Sequence, residues 1–360
     1  MVQATPAPLV NTIARLLGLD PNALFSQVLG GLLGAGLVAT ITLLFAAIAG
    51  PYMKRKLTAA FTDRIAVDRV GPYGILTIVV DAVRLLTKEL IIPENVDRPA
   101  YDFAPFLIVF SAMLGFAVIP FGNGIQLADP SIGLVYLFAV SSIASLGLVI
   151  GGYASANKYS MLGGLRAVAQ NLAYEIPLVA VGASVALFAG SFKISTIVAV
   201  QSQTLISFGP IGIPAWYGFV NPFAFALFMA ANLAEIGRNP FDLPEAPNDL
   251  VAGYQTEYSS VYFVLFYLGE FLHIFLGGAI ITTLFLGGPT APIQAPVINM
   301  VPGIVWFVAK VWGIFFFTQW FRSAIPRVRP DQLLNIGWKG MIELAFLNLV
   351  LTAILIGVIQ

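Results

Sequence analysis

The sequence predicts an all-α integral membrane protein: eight transmembrane helices plus one amphipathic surface helix, as a single transmembrane domain over residues 1–360. Three observations carry that expectation. Hydrophobic residues make up 58% of the 360 and charged residues only 10%, whereas a soluble domain is roughly half apolar and about a quarter charged. The mean hydropathy is +0.88. Apolar runs of the ~20 residues that a bilayer crossing needs recur along the whole chain.

The candidate spans fall at about 25–50, 102–121, 131–152, 172–190, 212–235, 261–286, 297–320 and 338–359. Residues 6–22 and 73–87 are too short or too charged to cross. In the segment from Tyr73 to Thr87, Ile75, Ile78, Val79, Ala82, Leu85 and Leu86 form one apolar face, with Asp81 and Arg84 elsewhere. That pattern predicts an amphipathic helix lying on the surface. Gly71-Pro72-Tyr73-Gly74 before it reads as a turn. The glycine-rich spans and Gly163-Gly164 suit close helix packing.

Lys and Arg set the orientation. Of 18 basic residues, 15 lie in the loops 51–101, 153–171, 236–260 and 321–337 or at their borders. Arg15 and Lys193 lie on the other side, and Lys310 sits inside a span. By the positive-inside rule the four polar loops face the cytoplasm, matrix or stroma, and both termini face outward, toward the periplasm in a bacterium. The first 24 residues carry one basic residue and no compact apolar core with a cleavage site, so no signal peptide is expected.

The chain has no cysteine, which excludes disulfides, thiolate metal sites and cysteine-held iron–sulfur clusters. Its one histidine, His273, argues against haem, and the zero net charge gives no nucleic-acid signal. It has no phosphate loop, dinucleotide fingerprint or metal-ligand cluster. No metal or cofactor is therefore expected on this chain alone, and any redox role needs cofactors held by partners.

Six ionisable residues fall within spans: Glu175, Glu235, Glu270, His273, Lys310 and Glu343. Each is costly in lipid, so each should face protein or water. Glu270 and His273, at i and i+3, share a helix face. Two readings are open. The residues act as static hydrogen-bonded glue between helices, or the carboxylates, with Lys310 as a weaker member, relay protons. Four glutamates in one chain favour the second. Glu343 lies near a helix start, where the dipole favours a carboxylate, and His273 alone reads as a packed polar residue. Ala234-Glu235-Ile236-Gly237-Arg238-Asn239-Pro240-Phe241-Asp242-Leu243-Pro244-Glu245 predicts a helix ending in a charged, folded loop. Its acidic residues lie on the side of the basic loops, where opposite charges would build a surface suited to docking a partner.

That stretch, continued through Leu250 to Tyr258, resembles the signature of the H subunit of respiratory complex I, called chain 1 in mitochondria and subunit 1 in chloroplasts. The resemblance extends to Val70-Gly71-Pro72-Tyr73-Gly74 with Asp81, to Asn157-Lys158-Tyr159-Ser160 through Arg166 and Tyr174-Glu175, and to Trp320-Phe321-Arg322 with Pro326-Arg327-Val328-Arg329. It implies a non-redox membrane subunit of a proton-pumping NADH:quinone oxidoreductase, a translocase with quinone as its substrate. FMN and iron–sulfur clusters would reside in partner subunits. Carried over by motif, Arg55, Arg64, Asp81 and Arg238 would border the quinone chamber. Asp242, Glu245, Asp249, Glu257, Arg322, Arg327 and Arg329 would dock peripheral-arm subunits. Glu175, Glu235 and Glu270 would form a proton path toward small and antiporter-like membrane subunits. The implied location is a bacterial inner (plasma) membrane, or a thylakoid or mitochondrial inner membrane. The chain departs from the family pattern at Lys54, Ala66-Val67, Pro247 and Glu343. These departures keep open the equivalent subunit of a membrane-bound hydrogenase or of a ferredoxin- or F420-linked dehydrogenase. A stand-alone ion carrier would show repeated halves, and the basic loop after the first span has no counterpart after the fifth.

Overall fold

A computed structural model of the chain describes residues 8–18, 24–122, 124–208, 211–238, 240–244, 247–294 and 298–359. The chain is a multi-pass membrane protein, mostly helical among its described residues. Among the described residues, seven helices are long and apolar enough to cross a bilayer. A short helix α1 (Pro8–Leu16) precedes α2 (Leu24–Leu44). The first span does not stop where its apolar run stops. A π turn, Phe45–Ala49, leads straight into α3 (Gly50–Phe61). Pro51 supplies a reason: it has no N–H to donate, and its ring crowds the carbonyl four residues back, which a wider turn relieves. The loop expected over 51–101 therefore begins with three turns of helix.

After a tight turn at Pro72–Gly74, with Gly71 and Gly74 at positive φ, α4 covers Thr77–Leu86. The amphipathic helix is present, but its faces differ from expectation. Asp81 turns inward with the half-buried Ile78 and Leu85, whereas Val79, Val80, Val83 and Leu86 are each about half exposed. The ion pair from Asp81 to Arg55 of α3, at 2.5 Å, and packing on α12 decide which stripe faces the protein.

Next come α5 (Arg98–Phe116), α6 (Gly133–Ala154) and α7 (Lys158–Ala189). Most of the polar loop expected over 153–171 is thus the start of α7, capped by the Asn157 side chain accepting from the Tyr159 N–H at 2.9 Å. At 32 residues α7 is about 48 Å long, well beyond the ~30 Å hydrocarbon core. It packs against α6, α10 and α15, and α5 packs against α6 and α12. A Cβ on Gly152 would stand 3.2 Å from the Gly164 Cα, so α6 and α7 approach at a glycine contact.

The expected span 212–235 is divided. After α8 (Ile194–Gln201) come an antiparallel pair, β1 (Thr204–Phe208) with β2 (Ile211–Pro214), and the short α9 (Tyr217–Val220). Only then does α10 (Pro222–Glu235) run for 14 residues, about 21 Å. Pro214 and Pro222 interrupt an otherwise continuous apolar run, and Asn221 caps α10 by accepting from the Ala224 N–H.

A one-turn α11 (Pro247–Leu250) lies in the next connection. The most buried span, α12 (Ser260–Phe285), is followed by α13 (Gly303–Ala324) and α14 (Pro330–Asn335). A second π turn, Ile336–Met341, joins α14 to α15 (Ile342–Ile359) in one rod. Phe271, Leu272, Ile281, Leu284 and Phe285 of α12 are fully buried. The fold predicts that Gly164→Leu, which overpacks the α6–α7 contact, costs about 1–3 kcal/mol. Gly313→Leu, facing open space, should cost little. Thermal unfolding of the two variants in detergent checks this.

Candidate functional site

Four helices, α6, α7, α10 and α12, bring largely enclosed polar groups to one place. Glu175 comes from α7, Glu235 is the last residue of α10, and Glu270 and His273 stand on one face of α12. Together with Ser141, Ser142 and Ser145 of α6, Asn171 of α7 and Asn232 of α10, they line an interior cavity of about 90 Å³. A water occupies roughly 10–15 Å³ on this measure, so the cavity holds several. Ser142 donates a hydrogen bond to Glu175. His273 Nε2 lies 3.1 Å from Ser111 Oγ and 3.3 Å from the Ile108 carbonyl.

Glu270 of the cavity wall is held in an ion pair. Arg238 Nη2 meets Glu270 Oε1 at 2.7 Å, with the two side chains only 4% and 13% exposed. The guanidinium also sits 5.2 Å from the centre of the Phe271 ring, and the Lys54 ammonium lies at the same distance from that ring. Gln170 fixes the segment that carries Arg238. Its Nε2 donates to the Ala234 carbonyl at 2.5 Å and to the Phe241 carbonyl at 2.8 Å, spanning the bend after α10. Gly237, at φ +68, makes that bend.

The described residues of the acidic connection 236–260 are folded. Asp249 takes Arg327 at 3.2 Å and Arg166 at 3.6 Å, so one carboxylate joins α11, α7 and the segment after α13. Val328 N–H donates to the Pro240 carbonyl, the Asn157 side chain bonds Glu257, and Tyr101 donates to the Glu257 carbonyl. Burial pushes the Asp242 carboxyl up, against the lowering pull of Arg322 and Arg327. Arg329 pairs with Asp331 at the surface, and Arg64 is exposed. Glu245 lies outside the described residues.

Two sequence expectations part company with this site. Lys310 does not line the cavity. Its ammonium donates to the carbonyls of Leu286, Gly288 and Thr290 at 2.5, 2.9 and 2.6 Å, and it lies 4.1 Å from the Trp216 ring centre. It clamps the connection after α12. Glu343, on the first turn of α15, is likewise absent from the cavity wall. The serines and asparagines do not stand out in the sequence because small polar residues in a span equally serve as helix glue. The run Ser141-Ser142 with Ser145 is the signal that could have found them.

The profile of the family described as NADH dehydrogenase matches residues 35–353. The chain belongs to that family. It is 42% identical over 320 residues to the H subunit of the NADH-quinone oxidoreductase of Bacillus cereus (strain B4264), covering 88% of this chain and 92% of the relative. The corresponding protein of Geobacillus kaustophilus (strain HTA426), which carries the same name, is 41% identical over 329 residues, covering 91% and 92%. That of Bacillus thuringiensis (strain Al Hakam) is 42% identical over 320 residues, covering 88% and 92%. In this member of the NADH dehydrogenase family, the matched region contains all three carboxylates of the cavity and Arg238.

Two outcomes follow from the geometry. Arg238→Ala leaves Glu270 as an uncompensated buried charge, which costs about 3–5 kcal/mol. The expected result is faster hydrogen exchange over 236–258 and a lower thermal midpoint. The raised Asp242 carboxyl keeps its proton above the pH at which the unfolded chain loses it. Its stabilising contribution is therefore present below about pH 3.9, the ordinary aspartate value, and is lost as pH rises through the higher folded value. Asp242→Asn should flatten that part of a thermal-midpoint-against-pH profile.

Proposed function

We propose that this chain is the membrane subunit of a proton-pumping NADH:quinone oxidoreductase, forming part of the quinone chamber and a carboxylate path leading away from it. The observation that carries the reading is the convergence of Glu175, Glu235 and Glu270 on one cavity, with Glu270 paired to the buried Arg238, in a chain whose relatives are named as the H subunit of an NADH-quinone oxidoreductase. The chain itself moves no electrons. FMN and iron–sulfur clusters belong to partner subunits docked on the folded acidic connection and the Arg322, Arg327 and Arg329 segment. Antiporter-like membrane subunits receive the output.

In this reading the chain crosses a bacterial plasma membrane eight times, α9 with α10 making the short fifth crossing, and both termini lie outside. The basic end is cytoplasmic. Arg55, Asp81, Arg64 and Arg238 border the chamber there. Quinone reduction changes charge in a low-dielectric space, where Coulomb terms are large. The Arg238–Glu270 pair stands between that space and the cavity, so a charge change on one side shifts the balance of the pair. Water in the cavity then carries a proton among Glu270, Glu235 and Glu175. The serine hydroxyls and Asn232 orient that water by hydrogen bonding.

The reading predicts that Glu235→Gln abolishes proton pumping coupled to NADH:quinone turnover while the complex still assembles. Normal pumping in that variant, measured in proteoliposomes, would remove Glu235 from the path. Asp81→Asn breaks the pair with Arg55 and should lower quinone reductase activity with assembly intact. Unchanged quinone kinetics would place Asp81 outside the chamber.

A further inference from the structure

A second cavity lies apart from the carboxylates. It occupies about 250 Å³ between α2, α5, α12 and α13, walled by Phe45, Phe116, Phe275, Phe307 and Trp312. We propose that it is a binding site for one acyl chain of a membrane phospholipid.

Its lining is apolar nearly throughout. The one hydroxyl at its edge, on Thr42, is already committed to the Val38 carbonyl at 2.8 Å and the Ala39 carbonyl at 3.0 Å. Nothing there offers water the two to four polar partners it needs. An apolar cavity of about 150 Å³ stays dry and takes up an apolar guest, and this one is larger. The walls hold it open. Phe275 stacks on Phe315 at 5.1 Å, Trp312 meets both rings edge-on at 5.5 and 5.3 Å, and Phe121 supports Phe307 at 5.4 Å. A ring lattice of this kind does not collapse inward without breaking several aromatic contacts.

The cavity also has a mouth on the membrane side. Ile41, Phe45 and Ile304 are 45%, 36% and 36% exposed at its outer edge, while Phe116, Phe275 and Phe307 at its base are 5% exposed or less. The opening lies between α2 and α13, both long enough to cross a bilayer. At that depth the surrounding medium is hydrocarbon. A flexible saturated chain is the guest that matches a dry, narrow, sideways-opening slot with no polar group at its base. Phe45 is both cavity wall and first residue of the π turn, so an inserted chain would pack directly on that turn. The site is independent of the carboxylate path.

The test uses the assembled complex in phosphatidylcholine nanodiscs doped with phosphatidylcholine bearing a diazirine on one acyl chain. After illumination, adducts are mapped by mass spectrometry. Adducts are expected on Phe307 and Trp312. Ala279→Phe and Val311→Phe each fill the cavity from a different wall and should cut those adducts about tenfold, with labelling of exposed Val350 on α15 unchanged. Two variants guard against one failing to assemble, and if neither assembles, adducts at the base of the cavity in the unaltered chain decide. The proposal is overturned if Phe307 and Trp312 take no lipid label, if an assembled filled variant keeps its label, or if a quinone with a diazirine in its isoprenoid tail labels the site and the lipid does not.

Discussion

A charge enclosed in hydrocarbon must be met by an opposite charge, by hydrogen bonds or by water. Among the ion pairs of the described residues, Arg238–Glu270 is the most enclosed, at 2.7 Å with side chains 4% and 13% exposed. Much of the basic end of the bundle is arranged to hold it. Gln170 pins both sides of the bend that carries Arg238. Phe271 presents its ring face to the guanidinium. Asp249 and the carbonyl of Pro240 draw the segment after α13 over the same bend. Without these supports the bend after α10 would be an ordinary loop, free to let the arginine turn to solvent.

The pair joins two environments, since Glu270 lines the cavity and Arg238 belongs to the charged connection after α10. On one side lie the charged connections, with Asp242, Asp249 and their arginines. On the other lies a cavity whose polar groups are hydroxyls, amides, His273 and two further carboxylates, set among apolar side chains such as Ile108, Leu148 and Ile280. The close approach of α6 and α7 at glycines brings the serines of one within reach of Glu175 on the other, so backbone packing sets the polar geometry. The tight glycine contact and the polar part of the cavity wall are two parts of one helix interface.

Much of this was legible in the sequence. The three carboxylates stood out because an ionisable group within an apolar run is too costly to be idle, and the structure brings all three together. The charged loop after α10 was legible from its proline breaks. Other features were not. An apolar stretch interrupted by Pro214 and Pro222 has the composition of a span, yet prolines and Asn221 divide it into hairpin, turn and 14-residue helix. In α4 nearly every side of a ten-residue helix is apolar, so periodicity could not choose a face, and the ion pair from Asp81 to Arg55 did. Lys310 carried the same insertion cost as the glutamates, but its partners are three backbone carbonyls that no spacing rule reveals.

Everything depends on Glu175, Glu235 and Glu270 sharing water. The most direct measurement is a map of the assembled complex at a resolution that shows ordered solvent. The account predicts a chain of water molecules in the cavity, hydrogen-bonded to all three carboxylates and to the serines of α6. A dry cavity, or carboxylates each closed off by separate protein partners with no water between them, would contradict it.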